Sequence, residues 1–242
     1  MKEEEQYPRV YAQDLDPVHW YSDYLRTYIE RDVRTLRNVS DLSLFQKFIG
    51  LCAGRIGQLL NMTSLANDCG ITLATTKAWL SLLEASYIIF LLQPYHTNIG
   101  KRLVKTPKLY FYDTGVACSV LEIESSRQLV DHYIRGNLFE SFVIAEFHKQ
   151  RFNQGLIPRT FFWRDKTGHE VDCLLSKADK ITPVEIKVGQ TVSSNYFDGL
   201  KYLYEVTKKK TYAGTVIYGG TENQKRTYAQ VTSWRDIDKI KQ

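Results

Sequence analysis

Apolar positions recur along the first third of the chain at the spacing of helices. From Pro17 to Arg37, Trp20, Tyr24 and Tyr28, with Leu25, Ile29, Val33 and Leu36, repeat every three or four residues between charged positions, which predicts an amphipathic helix. Its charged cluster Glu30, Arg31, Asp32 and Arg34 reads as a solvated, ion-paired face, or alternatively as a docking surface. A second helix is expected from Leu42 to Leu60. Ser64 to Asp68 reads as a short helix, Cys69-Gly70 as its stop and Thr72 as the N-cap of the next, which places Ala74, Ala78, Leu82, Trp79 and Leu83 at core spacing. Two helices separated by a short glycine-containing turn form a helix-turn-helix pattern. The period then shortens to that of strands at Tyr87–Leu92, Lys101–Val104 and Lys108–Tyr112. Two strands joined by a basic loop behind such a helix pair predict a winged helix.

The strand pattern ends between Val116 and Ser126, and the order of elements changes there. Two domains are therefore expected, at residues 1–120 and 126–242. In the second, a long helix from about Leu129 to Phe152 precedes strands at Thr160–Arg164, Glu170–Leu175 and Ile181–Val188. A helix over Asn195–Val206 and a last strand over Thr211–Tyr218 follow. Helix, three strands, helix, strand is the order of an α/β domain, so the fold class is mixed α/β with a helical N-terminal part.

Composition narrows this picture only a little. With 43% hydrophobic and 24% charged residues the chain is built to fold rather than to stay disordered. A net charge of +5 suits a nucleic-acid partner without requiring one. Cys52, Cys69, Cys118 and Cys173 are scattered, which argues against a paired-cysteine zinc site and for reduced thiols in a cytoplasmic protein. No apolar run is long enough to span a bilayer, and the opening Met-Lys-Glu-Glu-Glu is unlike a leader, so no membrane partner is expected.

The candidate chemistry lies in the third strand of the second domain. Strand alternation in Pro183-Val184-Glu185-Ile186-Lys187-Val188 puts Glu185 and Lys187 on one face. The preceding strand carries Asp172, and the short connection makes the two strands antiparallel neighbours, so Asp172 falls beside Glu185. Two adjacent carboxylates offset by one ammonium favour a bound cation, and a hard divalent ion, Mg2+ or Mn2+, suits oxygen ligands. Such an ion, with Lys187 beside it, serves phosphodiester hydrolysis. Glu140, on the largely apolar helix segment Gly136-Asn137-Leu138-Phe139-Glu140, is costly to bury unless paired or metal-bound, which makes it a third acidic ligand. Gly136, one turn earlier, is expected to let that helix approach the sheet closely. His169 and Glu170 read as turn and surface residues, and Tyr196 and Tyr202 as core. The plainer alternative for the cluster is a cross-strand ion pair between Asp172 and Lys187. For DNA the candidates are Thr75, Thr76 and Lys77 on the second helix of the pair, with Lys101, Arg102, Lys105 and Lys108 of the wing neutralising phosphates. Helix-turn-helix units also dock proteins, and that reading stays open.

The stretches Tyr28–Val33, Lys101–Gly115 and Gly136–Glu140, together with Asp172, Glu185 and Lys187, resemble the C-terminal region of a widespread bacterial and archaeal family of AAA-type ATPases, the domain of unknown function 4143. The resemblance covers nearly the whole chain, and the Lys101–Gly115 run is its most specific part. It implies a winged helix followed by an αβββαβ fold similar to restriction endonucleases and archaeal Holliday junction resolvases, with the acidic set as a PD-(D/E)XK nuclease site. In that family an ATPase domain precedes this region. No G-x-x-x-x-G-K-[ST] loop occurs here, so the chain is expected neither to bind nor to hydrolyse ATP by itself. The expected function is a metal-dependent DNA endonuclease associated with an ATPase domain in cis or in trans, with an oligomer compatible with the sequence. The alternative is an inactive DNA-binding or protein-interaction regulatory module.

Overall fold

The protein is described from a computed structural model, which covers residues 15–28, 33, 41–95, 104–178, 180–208 and 214–240. The chain divides into two compact units, one of Met1–Leu91 with Leu109–Leu138, the other of Leu92–Lys108 with Phe139–Gln242.

The first unit is helical. Its helices α1 (Pro17–Thr27), α2 (Leu42–Ala53), α3 (Met62–Cys69) and α4 (Leu73–Ala85) each begin with a side chain that accepts a hydrogen bond from an otherwise unpaired backbone N–H: Asp16, Asp41, Asn61 and Thr72. The Glu30–Arg34 charged cluster lies outside the described residues. The expected second helix stops at Ala53 rather than Leu60, where Gly54 and then Gly57, with φ +73°, turn the chain. Gly70 ends α3 at φ +82°, a backbone state that a Cβ would strain. On α4 the buried positions are Thr76, Trp79, Leu80 and Leu83, while Ala74 and Ala78 face solvent. The core expectation was thus correct for Trp79 and Leu83 and wrong for the two alanines, because the indole of Trp79 fixes the inward stripe by packing edge-on against Phe45 and Phe48.

Strands β1 (Ile89–Leu92) and β2 (Lys108–Phe111) pair in a two-stranded sheet. The remainder of the most specific sequence run then resolves into ordinary structural duties. Asp113 caps α5 (Thr114–Val120) by accepting from the Gly115 and Val116 amides, and also accepts from the Tyr21 hydroxyl at 3.2 Å. The ring of Tyr21 lies where a Cβ on Gly115 would stand, 2.1 Å from its Cζ, so only glycine fits. Helix α6 (Ser126–Asp131) opens with a capping box between Ser125 and Gln128. The single long helix expected from Leu129 is broken: His132 is extended, its ring accepts from the Ile134 amide, and α7 starts at Arg135 and runs to Phe152.

The second unit is built on a six-stranded sheet in the order β3-β4-β5-β6-β8-β7. Strands β3 (Thr160–Arg164), β4 (Glu170–Lys177) and β5 (Lys180–Lys187) form an antiparallel meander. Helix α8 (Asp198–Thr207), entered through a 3-10 turn at Ser194–Phe197, crosses to β6 (Gly214–Tyr218), which is parallel to β5. Helix, three strands, helix, strand is the order read from the sequence. The chain does not end its sheet at Tyr218, however. A polar stretch leads to β7 (Gln224–Lys225) and to β8 (Ala229–Ser233), which runs parallel to β6. All of β6 and most of β5 are buried, as expected for central strands covered on both faces. Leu200 and Leu203 of α8 pack with Trp163, Val171, Leu174 and Val216. No described helix is long and apolar enough to cross a membrane.

Candidate metal centre

Pairing of Cys173 with Val184 fixes the register of β4 and β5, and brings Asp172 against the end of β5 that carries Glu185 and Lys187. One carboxylate oxygen of Asp172, Oδ2, accepts from the Ile186 amide at 2.7 Å and from the Lys187 ammonium at 3.2 Å; Lys187 also donates to Glu185 Oε1 at 2.9 Å. The cross-strand ion pair is therefore present, but it is part of something larger. Glu140 of α7, Glu170 and Asp172 place carboxylate oxygens within 4.8 Å of one another. Between Glu140 and Glu170 sits the ammonium of Lys108, 3.2 Å from Glu140 Oε1 and hydrogen-bonded to Glu170 Oε1, its side chain only 4% exposed. Arg164 reaches the other oxygen of Glu170 at 3.0 Å. Four carboxylates thus face two ammoniums and one guanidinium.

The electrostatics follow from this crowding. Burial, reinforced by the charge of Asp172, pushes the Glu185 carboxyl up to about 8. Burial alone would lower the lysines, but for Lys187 the carboxylates Asp172 and Glu185, and for Lys108 the carboxylates Glu140 and Glu170, outweigh it and raise both above the usual lysine range. Both ammoniums are held in the charged form. Glu185 is 6% exposed, and among the described residues no donor reaches its Oε2. A buried carboxylate oxygen without a donor costs about 1–3 kcal/mol or more, which a cation at that point would recover. The donor set is all oxygen, so a hard divalent ion such as Mg2+ or Mn2+ fits it.

Helix α8 closes over the same end of the sheet. A Cβ on Gly199 would stand 2.4 Å from the Glu170 carbonyl oxygen and 3.2 Å from Glu185 Oε2, so the helix can lie this near only with glycine there. A groove of about 380 Å³ opens alongside, lined by Glu170, Gly199, Tyr202 and His169 among others. His169 is a turn residue as expected. Its ring stacks on Tyr202 at 3.6 Å, and the Tyr202 hydroxyl donates to Asp165.

Residues 6–127, half of the chain, match the domain of unknown function DUF8612. The chain belongs to the DUF8612 family. Behind that domain, residues 135–237 match a second domain of unknown function, DUF4143, which is found in AAA-ATPase-associated proteins. The DUF8612 chain is similar to the uncharacterized protein Rv2008c of Mycobacterium tuberculosis and to the uncharacterized protein Mb2031c of Mycobacterium bovis. Each is 27% identical over 179 residues, 74% of this chain. It spans about two fifths of the length of these curated relatives. No solved structure matches it.

In this DUF8612 protein, Asp172, Glu185, Lys187 and Glu140 come together, all within the second unit. Glu170, read from the sequence as a surface residue, belongs with them. The signal for it was the two-residue spacing to Asp172, which puts both on one face of β4. Gly136 has open space where its Cβ would be, so it does not explain how α7 approaches the sheet. Among the DNA candidates Lys77 and Lys105 are exposed and Thr75 is half-buried. Thr76 is buried, its hydroxyl given to the Thr72 carbonyl, and is not available to a groove. Lys108 is likewise not a phosphate contact, because its charge is spent on Glu140 and Glu170. Lys101 and Arg102 lie outside the described residues.

Proposed function

We propose that this chain is the DNA-cleaving part of an ATPase-associated protein: a divalent-metal-dependent phosphodiesterase whose site is Asp172, Glu185 and Lys187, with Glu140 and Glu170 beside them. The observation that carries the reading is the buried Glu185 Oε2 without a donor, next to Asp172, at the carboxyl end of a strand in a largely parallel part of the sheet. When bound there, a divalent cation supplies polarisation of a phosphoryl oxygen and acidifies a water. The chain's own groups do the rest. Asp172 and Glu185 hold the cation. The Ile186 amide and Lys187 fix the Asp172 carboxylate so that it needs no reorganisation on binding. Lys187, held as an ammonium, meets the negative charge that grows on the phosphoryl group rather than removing a proton from water. The order of elements in the second unit and the likeness to DUF4143 support an endonuclease-like fold. The α3–α4 pair followed by β1 and β2 supports a winged helix-turn-helix that engages DNA through Lys77, with Lys105 as a further phosphate contact. An ATPase domain, in cis or in trans, and a cytoplasmic setting complete the proposal.

A second reading has its own observation. Lys108 and Lys187 already neutralise much of the carboxylate charge, as they would in a module that binds DNA and does not cut it. Cleavage of linear, branched and single-stranded DNA with Mg2+ or Mn2+ separates the two, with Lys187→Ala in parallel. The nuclease reading expects metal-dependent cutting that falls about 10²–10³-fold in the variant. DNA retention with no cutting on any substrate would favour the binding module.

A further inference from the structure

The acidic cluster already contains one cation, and it is part of the chain. Lys108 comes from β2, in the run Lys101–Gly115, yet nothing in the composition of that run suggests an interior position: Lys101, Arg102 and Lys105 precede it as a basic string. Its ammonium is nonetheless withdrawn from solvent, set between Glu140 and Glu170, with the ring of Phe162 5.5 Å away. Desolvating an ammonium is costly unless its charge is met by opposite charge at short range, and here two carboxylates meet it.

The dimensions are those of an ion site. Oxygens on opposite sides of an octahedral Mg2+ lie roughly 4.2 Å apart, and around Ca2+ roughly 4.8 Å. The oxygens of Glu140, Glu170 and Asp172 are all within 4.8 Å of each other. What the lysine does not reach is the other end of the cluster. Glu185 Oε2, more than nine-tenths buried, remains without a donor among the described residues, next to Asp172 and on the side where Gly199 lets α8 come close.

We propose that the Lys108 ammonium is a built-in replacement for a second metal ion: it occupies the position between Glu140 and Glu170, so that the centre takes a single divalent cation, held by Asp172 and Glu185. This rests on the metal reading given above and adds a stoichiometry to it. Paired metal sites place two ions roughly 3.5–4 Å apart, one on each side of the scissile bond. An ammonium at the second position supplies the charge that keeps Glu140, Glu170 and Asp172 together, but it does not acidify a water. Lys108 is accordingly a positioning residue, and the dependence on metal is first order.

The experiment counts Mn2+ bound to the full chain without DNA, by calorimetry and by the paramagnetic resonance signal of free Mn2+. The wild-type chain is expected to bind one ion. Lys108→Met, which removes the ammonium and keeps the aliphatic stem, is expected to bind two, and Lys108→Arg one. Two ions on the wild-type chain would overturn the proposal whether or not Lys108→Met folds. One ion on both wild type and a folded Lys108→Met would overturn it while leaving the metal reading standing. No ion on either would remove the metal reading and this inference with it.

Discussion

Charged and titratable side chains of the second unit lie in different surroundings. Lys108, Lys187 and Arg164 are matched to carboxylates, whereas His148 is a buried ring whose Nε2 lies 2.6 Å from the Thr160 hydroxyl. Burial lowers His148 from 6.5 to about 4. The sign is that of a group depressed on folding: the neutral ring suits the folded state, full stability is present above pH 6.5, and it is lost as pH falls from 6.5 toward 4. The shift corresponds to about 3 kcal/mol across that window. Urea midpoints at successive pH values should show the decline, and His148→Gln should flatten it; an equal decline in the variant would place its origin elsewhere. Residue patterns made part of the acidic cluster legible. Alternation in β5 and the short β4–β5 turn were enough for Asp172, Glu185 and Lys187, and a carboxylate in an apolar helix was enough for Glu140. Glu170 was hidden by the Thr167-Gly168 turn beside it, which made it look solvated. Lys108 was hidden because its partners Glu140 and Glu170 are 32 and 62 residues away, a separation no local pattern reports.

Among the elements, α8 is the one on which the site leans most directly. The Gly199 position lies against the Glu170 carbonyl and the Glu185 carboxylate, so any side chain there must push α8 outward or move the carboxylate. Gly199→Ala is therefore expected to weaken Mn2+ binding at least tenfold, alongside a loss of stability of about 1–3 kcal/mol from overpacking. Calorimetric titration with a parallel denaturation curve checks both, and unchanged affinity would mean that Glu185 is not held from this side. The helices and strands were read well where caps and turns mark their ends, as at Thr72 and Gly70. They were read badly where tertiary packing decides. The break before α7 has no glycine or proline at His132 to announce it, and β8 follows a polar stretch that reads as a tail.

For the whole molecule the leading quantity is charge. Thirty-two basic against twenty-seven acidic residues is a small excess, and several of the cations are consumed internally by the acidic cluster. Of the cations read from the sequence as DNA candidates, Lys77 and Lys105 are exposed among the described residues. If these meet phosphates, affinity should fall with rising salt, and Lys77→Ala and Lys105→Ala should each reduce the slope of log K against log salt by about one. Fluorescence anisotropy over a KCl series measures it, and a slope unchanged in both variants would exclude these contacts.

The first unit is assembled from two stretches, with residues 92–108 between them belonging to the second. The Gly57 amide donates to the Leu109 carbonyl, the Leu109 amide to Gln58, and the Asn137 side chain to the Ile56 carbonyl. During synthesis, which proceeds from the N-terminus, α1 to α4 emerge long before the residues that complete their own unit. That unit must therefore wait until Leu138 has left the ribosome, when α7 is already under construction. No single cut separates the two units either: a break between the matched segments 6–127 and 135–237 would leave Asn137 with the wrong half. The two units are therefore coupled in manufacture as well as in sequence: the first is not a finished piece of goods when the second begins.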